Sequence, residues 1–386
     1  LKTSKVSFRR GQNMQIEQYF LEQEASWQPA LKGVDDKANL VLCFGPATLV
    51  EQHMPALKLC FPNAIITGCT TAGEILDDQV RDNSLSLSSL AFNSAKVKAV
   101  QVEVSAFENS LLAGNSLAQQ LPSEDLKHVL IFSDGLAVNG TALAKGLTQK
   151  LPQAVSVSGG MAGDGDQFSS TSTWLNGAPQ PGYIVAVGLY GSSLKVAYSS
   201  FGGWDPFGPD RLVTKSNGNV LYELDGRSAL ELYKEYLGPH AQDLPGSALL
   251  FPLSIRADNH EEERVRTILA VDDEVGSMTF AGDIPQGCHV RLMRANFDRL
   301  IDGATTAAQR AVLSDETGFA LLISCVGRKM VLKQRVEEEV EGVRQILGEQ
   351  VRMAGFYSYG ELSPLIEKVG CTLHNQTMTI TSIGEK

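Results

Sequence analysis

Side chains that could do chemistry gather near the C-terminus of the sequence. Cys325 and Arg328 follow a short apolar run, at the point where a helical pattern begins. Main-chain N–H groups at a helix start favour anions and lower the pKa of a thiol. Tyr357, Tyr359 and Glu361 follow in one segment, where strand alternation puts the two tyrosines on the same face. Anion binding, hydrogen bonding and thiol chemistry are therefore the candidate chemistries.

His374 and Asn375 lie in the last predicted strand. Strand ends of an open α/β sheet converge on one edge, where ligands usually bind, so these two residues are expected to join the others in one pocket. Such a pocket can bind an amino acid, with Arg328 paired to its carboxylate and Glu361 to its ammonium group. The alternative is that these polar groups hydrogen-bond to one another at the strand edge.

A catalytic interpretation of the same residues needs Cys325 as nucleophile and His374 as base, within hydrogen-bond reach of each other. This thiol hydrolase or transferase stays open as an alternative. The sequence contains no HExxH, CxxCH or GxSxG signature, so the known hydrolase and metalloprotease motifs do not support it. We expect a protein that is not an enzyme.

Two glycine pairs imitate the spacing of a phosphate-binding loop. Gly68 and Gly73 are followed by Glu74, and the second pair, Gly355-x4-Gly360, is followed by Glu361. A phosphate loop needs Lys and then Ser or Thr at this point, whereas a carboxylate repels phosphate. The glycines therefore predict tight turns, and nucleotide binding is not expected.

The elements that must position these residues repeat three times. The order is strand, helix, strand, glycine-rich turn and strand, and it is predicted over residues 39–92, 128–190 and 319–380. Three copies of one supersecondary unit predict an α/β fold with mixed sheets and helices. The third helix, around residues 329–347, carries an apolar stripe, and its acidic residues 337–341 are expected to form a solvated face.

A break in composition falls at residues 201–209, which hold three glycines and two prolines. Such a stretch interrupts regular structure, so we place a domain boundary near it. The predicted organisation is an N-terminal extension at 1–29, a first α/β domain at 30–212 and a second at 213–386. Within the second domain we expect a helix at 228–237, a buried strand at 248–253 and a hairpin at 267–281.

Composition narrows the class of protein. The 386 residues carry 33 Lys and Arg against 44 Asp and Glu, a net charge of −11, which argues against nucleic-acid binding. No apolar run reaches the ~20 residues that span a bilayer, so no membrane association is expected. The six cysteines form no CxxC pair, as is usual for thiols in a reducing cytosol. We therefore expect a cytoplasmic protein.

Seven motifs, in order over residues 30–386, resemble those of the FIST family, whose members have a FIST N and a FIST C domain. They are ITGCTTAGE at 66–74, SGGMAGD at 158–164, VTKSNGNVLYELDGRSA at 213–229, FAGDIP at 280–285, SCVGR at 324–328, GFYSYGELSP at 355–364 and LHNQTM at 373–378. The resemblance implies a bacterial sensory protein of signal transduction that binds small ligands such as amino acids.

One stand-alone branch of that family, the NosP-like sensors, is implied to bind non-covalent b-type haem, sense nitric oxide and act on a partner histidine kinase. A single histidine ligand to haem leaves little trace in a sequence. His240, in a loop after a predicted helix, and His374 are the candidate iron ligands. The leading expectation is therefore a haem and nitric oxide sensor, with an amino-acid sensor as the alternative and a homo-oligomer as a compatible state.

Overall fold

The computed structural model describes residues 14–21, 37–256, 263–313, 318–364 and 370–386. Within these ranges, the strands form four sheets of five, six, six and eight strands. Helices pack against the sheets, which confirms the predicted α/β class. Of the predicted N-terminal extension, residues 15–21 form a strand of the first sheet, and most of the remainder lies outside the described residues.

The first unit supplies most of the five-stranded sheet. Its elements are β1 (Gln15–Leu21), β2 (Leu40–Phe44), α1 (Ala47–Cys60), β3 (Ile65–Cys69), β4 (Glu74–Leu76), β5 (Gln79–Arg81) and β6 (Leu85–Ala91). Strand β2 is apolar throughout and fully buried, as expected for a strand covered on both faces. Helix α1 turns the buried side chains of Leu49, Val50, Met54 and Leu57 to the core, and their spacing is that of one helical face.

The second unit has the same order with one more helix. Its elements are β7 (Lys96–Glu103), α2 (Ser110–Gln120), β8 (Leu126–Ser133), α3 (Gly140–Lys150), β9 (Ser156–Met161), β10 (Thr173–Leu175) and β11 (Tyr183–Tyr190). Asn109 and Asn139 begin the two helices, because each side chain accepts a hydrogen bond from a first-turn N–H group.

The third unit opens with β12 (Leu194–Phe201), and the chain then leaves it for a separate eight-stranded sheet. We call residues 205–294 the inserted β domain. Its elements are β13 (Asp205–Asn217), β14 (Val220–Leu224), β15 (Arg227–Ser228), α4 (Ala229–Leu237), β16 (Leu253–Arg256), β17 (Arg264–Arg266), β18 (Ile268–Asp272), β19 (Ser277–Phe280) and β20 (His289–Arg294). Strands β18 and β19 form the predicted hairpin.

The chain then returns to complete the third unit. Its remaining elements are α5 (Phe297–Arg310), β21 (Gly318–Cys325), α6 (Val326–Leu332), α7 (Val336–Leu347), β22 (Val351–Ser358), β23 (Gly360–Ser363), β24 (Thr372–His374) and β25 (Met378–Glu385). Short 3-10 helices lie at Val104–Ala106, Gly238–Asp243, Gly246–Leu250 and Lys333–Arg335.

Strand pairing shows that the three units are copies of one design. In each, the first core strand runs parallel to the middle strand and antiparallel to the last, as in β2 with β3 and β6, β8 with β9 and β11, and β21 with β22 and β25. The strand after each glycine turn crosses to a neighbour: β4 pairs with β22, β10 with β3 and β23 with β9. The exchange is cyclic, because the first unit pairs with the third, the second with the first and the third with the second.

The break at 201–209 lies at the exit from β12 into the inserted β domain, where β13 begins, and two sheets hold strands from both sides of residue 212. Two sequence expectations need correction. The helix predicted around 329–347 is two helices, because Lys333 between them has φ +51°. The strand predicted at 248–253 begins as a 3-10 helix, and the strand itself covers Leu253–Arg256.

No helix among the described residues is long and apolar enough to cross a membrane.

Candidate functional site

Each unit makes a tight turn directly after its middle strand, and glycines allow the first turn to pass close to its neighbour. A Cβ on Gly68 would lie 1.7 Å from the carbonyl oxygen of Cys43. Gly73 has φ +136°, a backbone conformation that side chains disfavour. A larger residue at Gly68 would push β3 away from β2, and a Cβ at Gly73 would meet the Lys329 side chain (2.5 Å).

Main-chain hydrogen bonds tie the three turns together. The N–H group of Gly163, in the second turn, donates to the carbonyl of Thr70 in the first (3.0 Å). The N–H group of Ala72 donates to the carbonyl of Tyr357, at the end of β22 before the third turn (2.8 Å). Tyr359, in the third turn, lies beneath the second, with its ring 3.3 Å from where a Gly163 Cβ would be. The glycine turns therefore meet at one place.

A cavity of about 680 Å³ opens where these turns meet, and we call it the turn cavity. Residues 70–74 of the first unit, residues 163–170 of the second and helix α6 of the third line it. Ligand pockets typically measure ~300–1,000 Å³, so its size suits a small molecule. Because all three units contribute to its walls, the turn cavity is the candidate functional site.

The turn cavity carries charges of both signs. Lys329 on α6 donates to the carbonyl of Ala72 (2.8 Å) and forms an ion pair with Asp82, which joins the third unit to the first. Lys333 and Asp166 line the same cavity and are exposed. Ammonium groups and carboxylates in one wall can bind the two ends of a zwitterion.

Asp164 also lines the turn cavity, but protein donors occupy its carboxylate. Its Oδ2 accepts hydrogen bonds from the N–H groups of Ser169 (2.8 Å) and Ser170 (2.7 Å), and Tyr359 binds its other oxygen through the phenol hydroxyl. Burial raises the pKa of Asp164, but these hydrogen bonds outweigh burial and hold it below the usual range. Asp164 therefore fixes the loop at 164–170 that forms one wall of the cavity.

Glu74 forms part of the wall and is 2% exposed. Its carboxylate accepts hydrogen bonds from the hydroxyl of Thr71 and from the N–H and hydroxyl groups of Ser84 (3.0 and 2.8 Å). Burial dominates nonetheless and raises the pKa of Glu74 to about 7. This carboxyl group is therefore partly protonated near neutral pH.

The structure places Arg328 on the buried face of α6, away from the turn cavity. Its guanidinium group pairs with Glu339 (2.6 Å) and donates to the carbonyls of Gly202 and Leu300 (2.5 and 2.6 Å). Every contact that a ligand carboxylate would need is thus taken by protein. The fork between Arg328 and an amino-acid carboxylate does not form in this arrangement.

The expectation that the acidic residues of α7 form a solvated face is wrong for Glu339. Its side chain is fully buried, and besides Arg328 it accepts hydrogen bonds from Ser324 (2.9 Å) and from the hydroxyl of Tyr357 (3.1 Å). Tyr357 is itself fully buried. Arg328 and Tyr357 therefore meet through Glu339, in a structural network behind the cavity.

Glu361 and Cys325 lie in the same buried layer. Glu361 accepts hydrogen bonds from Ser358 (2.8 Å) and from the N–H and hydroxyl groups of Thr377 (3.1 and 2.9 Å), and burial raises its pKa to about 8. Burial, with the nearby charge of Glu361, also raises the pKa of the Cys325 thiol. A thiol nucleophile needs a lowered pKa, so Cys325 is not activated here.

The two candidate haem ligands lie apart from the turn cavity. His240 is exposed on a 3-10 helix, with its ring 5.5 Å from that of Phe251. His374 is half-buried, and its Nε2 lies 3.2 Å from the carbonyl oxygen of Ser363 and makes no bond to Cys325. The cavity beside His374 measures about 320 Å³, the lower end of the range for drug-sized ligands, and haem is larger than most of those. Neither imidazole lies in the turn cavity, and haem binding stays a prediction.

The sequence-predicted residues near the glycine turns are buried, and none of them lines the turn cavity. Asn375 is fully buried next to Tyr359, to whose carbonyl its amide nitrogen donates (3.5 Å). The lining residues that were missed are Thr70, Thr71, Glu74, Asp82, Asp164, Asp166, Lys329 and Lys333. Glu74 carried a signal, because it follows the first glycine pair as Glu361 follows the last. In the part of the chain that the structure describes, no group of three or more His, Cys, Asp or Glu side chains could hold a metal ion.

Comparisons with known proteins identify both halves of the chain. Residues 39–227 match the model of the FIST N domain, and residues 229–364 match that of the FIST C domain. Two relatives in Mycobacterium tuberculosis, uncharacterized protein MT0656 of strain CDC 1551 and uncharacterized protein Rv0628c of strain H37Rv, are each 24% identical over 247 residues. The match covers 61% of this chain and 63% of each relative, so the chain spans less than two thirds of their length.

Proposed function

Because this chain belongs to the FIST family, whose domains indicate a small-ligand-binding sensor in signalling, we propose that it senses a small zwitterion of the amino-acid class. The ligand occupies the turn cavity, and its binding is transmitted to the inserted β domain. The observation that supports this proposal is the position of the turn cavity, which carries both signs of charge and is walled by all three units.

The charges of the cavity suit a ligand with a carboxylate and an ammonium group. Lys329 and Lys333 lie together on the α6 side, and Asp82 and Asp166 lie on the loops of the first and second units. Lys329 already pairs with Asp82. A zwitterion would replace this ion pair with two, one between its carboxylate and a lysine and one between its ammonium group and an aspartate, at little electrostatic cost. An uncharged ligand would leave that pair in place and gain none.

Helix α6 provides the route from the cavity to the inserted β domain. Lys329 faces the cavity, while Arg328, its neighbour in sequence, holds the carbonyls of Gly202 and Leu300 on the other side. These two residues lie on the segments by which the chain leaves the third unit and returns to it. Val331 and Leu332 of α6 also pack with the buried Trp204 at the same junction. A ligand that displaces Lys329 therefore moves the helix that holds the junction.

Calorimetry against the twenty amino acids tests this proposal. We expect at least one to bind, and Lys329→Met, which keeps the apolar stem but removes the charge, to weaken binding at least tenfold, about 1.4 kcal/mol. The matched control is Lys145→Met, on the exposed face of α3, which should bind as the unaltered protein does. The proposal would be contradicted if none of the twenty amino acids binds, or if Lys329→Met binds with the same affinity as the unaltered protein.

Hydrogen exchange tests whether ligand binding is transmitted to the inserted β domain. With a bound amino acid, hydrogen exchange of main-chain amides at 202–204 and 296–300 should change in the unaltered protein. In Arg328→Lys, which keeps the charge but loses the fork to two carbonyls, the change should be smaller at equal occupancy. Unchanged exchange at both segments on ligand binding would show that the inserted β domain does not report the ligand.

A narrower proposal follows the NosP-like branch: binding of haem, sensing of nitric oxide and control of a partner histidine kinase. It rests on the resemblance in sequence, and the described surroundings of His240 and His374 add nothing to it. Haem titration followed at the Soret band tests it. Saturable uptake that is lost in His374→Ala or His240→Ala would support the proposal, and a band that behaves the same in both variants would reject these ligands.

A further inference from the structure

A second cavity, of about 320 Å³, lies where the inserted β domain joins the third unit, and we call it the junction cavity. Residues 200–204, at the exit from β12, form one wall, and Met293 of β20 contributes from the inserted β domain. His374, Asn375 and Thr377 line it from the segment between β24 and β25. It is separate from the turn cavity, and the two share no lining residue.

Asn375, one of the lining residues, carries an unsatisfied polar atom. Its side chain is fully buried, and its Nδ2 donates to the carbonyl of Tyr359. Among the described residues, its Oδ1 has no hydrogen-bond partner. A buried acceptor without a donor costs about 1–3 kcal/mol, and such atoms in native proteins usually find a partner. A donor from a bound molecule is therefore expected here.

His374, the preceding residue, offers a second acceptor. Burial, with the positive charge of Arg266 nearby, lowers the pKa of His374 to about 4, so the ring is neutral at pH 7. Its Nε2 faces the carbonyl oxygen of Ser363, which can only accept, so Nε2 carries the proton. This tautomer leaves Nδ1 as an acceptor. Two neutral acceptors on consecutive residues favour a ligand with an NH₂ group.

The rest of the wall favours an aromatic body and a carbonyl on the same ligand. Phe201, Trp204 and Met293 are apolar. Glu263 and Arg264 are the charged lining residues, and the guanidinium group of Arg264 can donate to a carbonyl oxygen. The volume is at the lower end for ligand pockets, which limits the ligand to about one ring and one functional group.

We propose that the junction cavity is a second binding site, which takes a small aromatic primary amide. The NH₂ group of the amide donates to Asn375 Oδ1 and His374 Nδ1, its carbonyl oxygen accepts from Arg264, and its ring packs against Phe201 and Trp204. This site goes beyond the proposed function, because it concerns a different cavity and a ligand without net charge.

Benzamide and benzoate, as probes on the full chain, test this site by calorimetry or ligand-observed NMR. The two have nearly the same shape, but benzoate has no N–H group to donate and would meet Asn375 Oδ1 with a negative oxygen. We expect benzamide to bind at least tenfold more tightly than benzoate. Equal affinity for the two probes would show that the site does not select an N–H donor, and no binding of benzamide at millimolar concentration would show that the cavity does not take an amide. Either result would overturn the proposal.

Variants assign the binding to the junction cavity. Asn375→Leu should remove the preference for benzamide, and His374→Phe, at a half-buried position that tolerates a ring, should weaken benzamide several-fold if Asn375→Leu does not fold. Lys329→Met, in the turn cavity, should bind benzamide as the unaltered protein does, so failure of the amino-acid proposal leaves this result unaffected. Benzamide affinity unchanged in His374→Phe would place the amide elsewhere and reject the site.

Discussion

The buried carboxyl group of Glu361 should make the protein less stable as pH rises. Burial raises its pKa from the ordinary 4.5 to about 8, a gap of about 3.5 pH units. At about 1.4 kcal/mol for each unit, ionising this group inside the folded protein costs about 5 kcal/mol more than in the unfolded chain. The stability that the protonated group contributes is full below pH 4.5 and is lost as pH rises through 8.

The best window for the measurement is pH 7 to 8.5. Glu74, with its pKa at about 7, has lost most of its contribution by pH 7, whereas Glu361 still titrates. The buried His128 and His374 have lowered pKa values, about 3 and 4, so their opposite effect on stability is confined to pH below about 7. Within the window, Glu361 alone should lower the free energy of unfolding by about 1 kcal/mol.

Urea unfolding of Glu361→Gln at several pH values tests the reasoning. The glutamine cannot ionise, so the fall in stability between pH 7 and 8.5 should largely disappear, whatever the substitution does to the absolute stability. Glu74→Gln is the matched control, because it removes one of the contributions that fall with pH below 7 and should leave most of the fall above pH 7. If Glu361→Gln keeps the slope of the unaltered protein above pH 7, burial does not govern this carboxyl group.

Three further outcomes follow from the buried layer. Arg328→Met should cost about 3–5 kcal/mol in urea unfolding, because Glu339 is left buried and unpaired, and adding Glu339→Gln should restore part of that loss; no recovery in the double variant would contradict the ion-pair argument. Tyr359→Phe should cost about 1 kcal/mol and speed proteolysis in the loop at 164–170, since Asp164 loses a donor; unaltered cleavage would count against that role. Cys325 should resist iodoacetamide at pH 7 in the folded protein and react once it is unfolded, as mass spectrometry would show, whereas rapid labelling of the folded form would revive the thiol-enzyme alternative.

The repeated order of elements could be predicted from the sequence because it depends on local pattern. The apolar run at 40–44, the helical spacing after Ala47 and the glycines at 68 and 73 each act on their own segment, and each recurs in all three units. The same local reasoning placed the hairpin of β18 and β19. It failed at Lys333, where one left-handed residue divides a helix that periodicity alone would continue.

The turns of the candidate site could be predicted from the sequence, whereas the side chains that line it could be identified only from the tertiary structure. That glycine turns mark the site follows from residue type. Which neighbours face the cavity does not, because Arg328 and Lys329 are both cations on one short helix, and the partner Glu339 draws the first inward while Asp82 and the Ala72 carbonyl hold the second outward. Glu339 itself could not be distinguished from its acidic neighbours until Arg328, Ser324 and Tyr357 were placed around it.

The sequence by itself therefore determined the α/β class, the threefold repeat and the family, because these depend on periodicity, glycine positions and short motifs. Only the tertiary structure decided that β4, β10 and β23 cross between units, that the third unit is interrupted by the inserted β domain and that two separate cavities result. Those features depend on pairing between residues more than a hundred positions apart, such as Glu74 with Phe356 and Thr173 with Cys69. Local pattern carries no information about such partners, because burial and hydrogen bonding between distant segments select them.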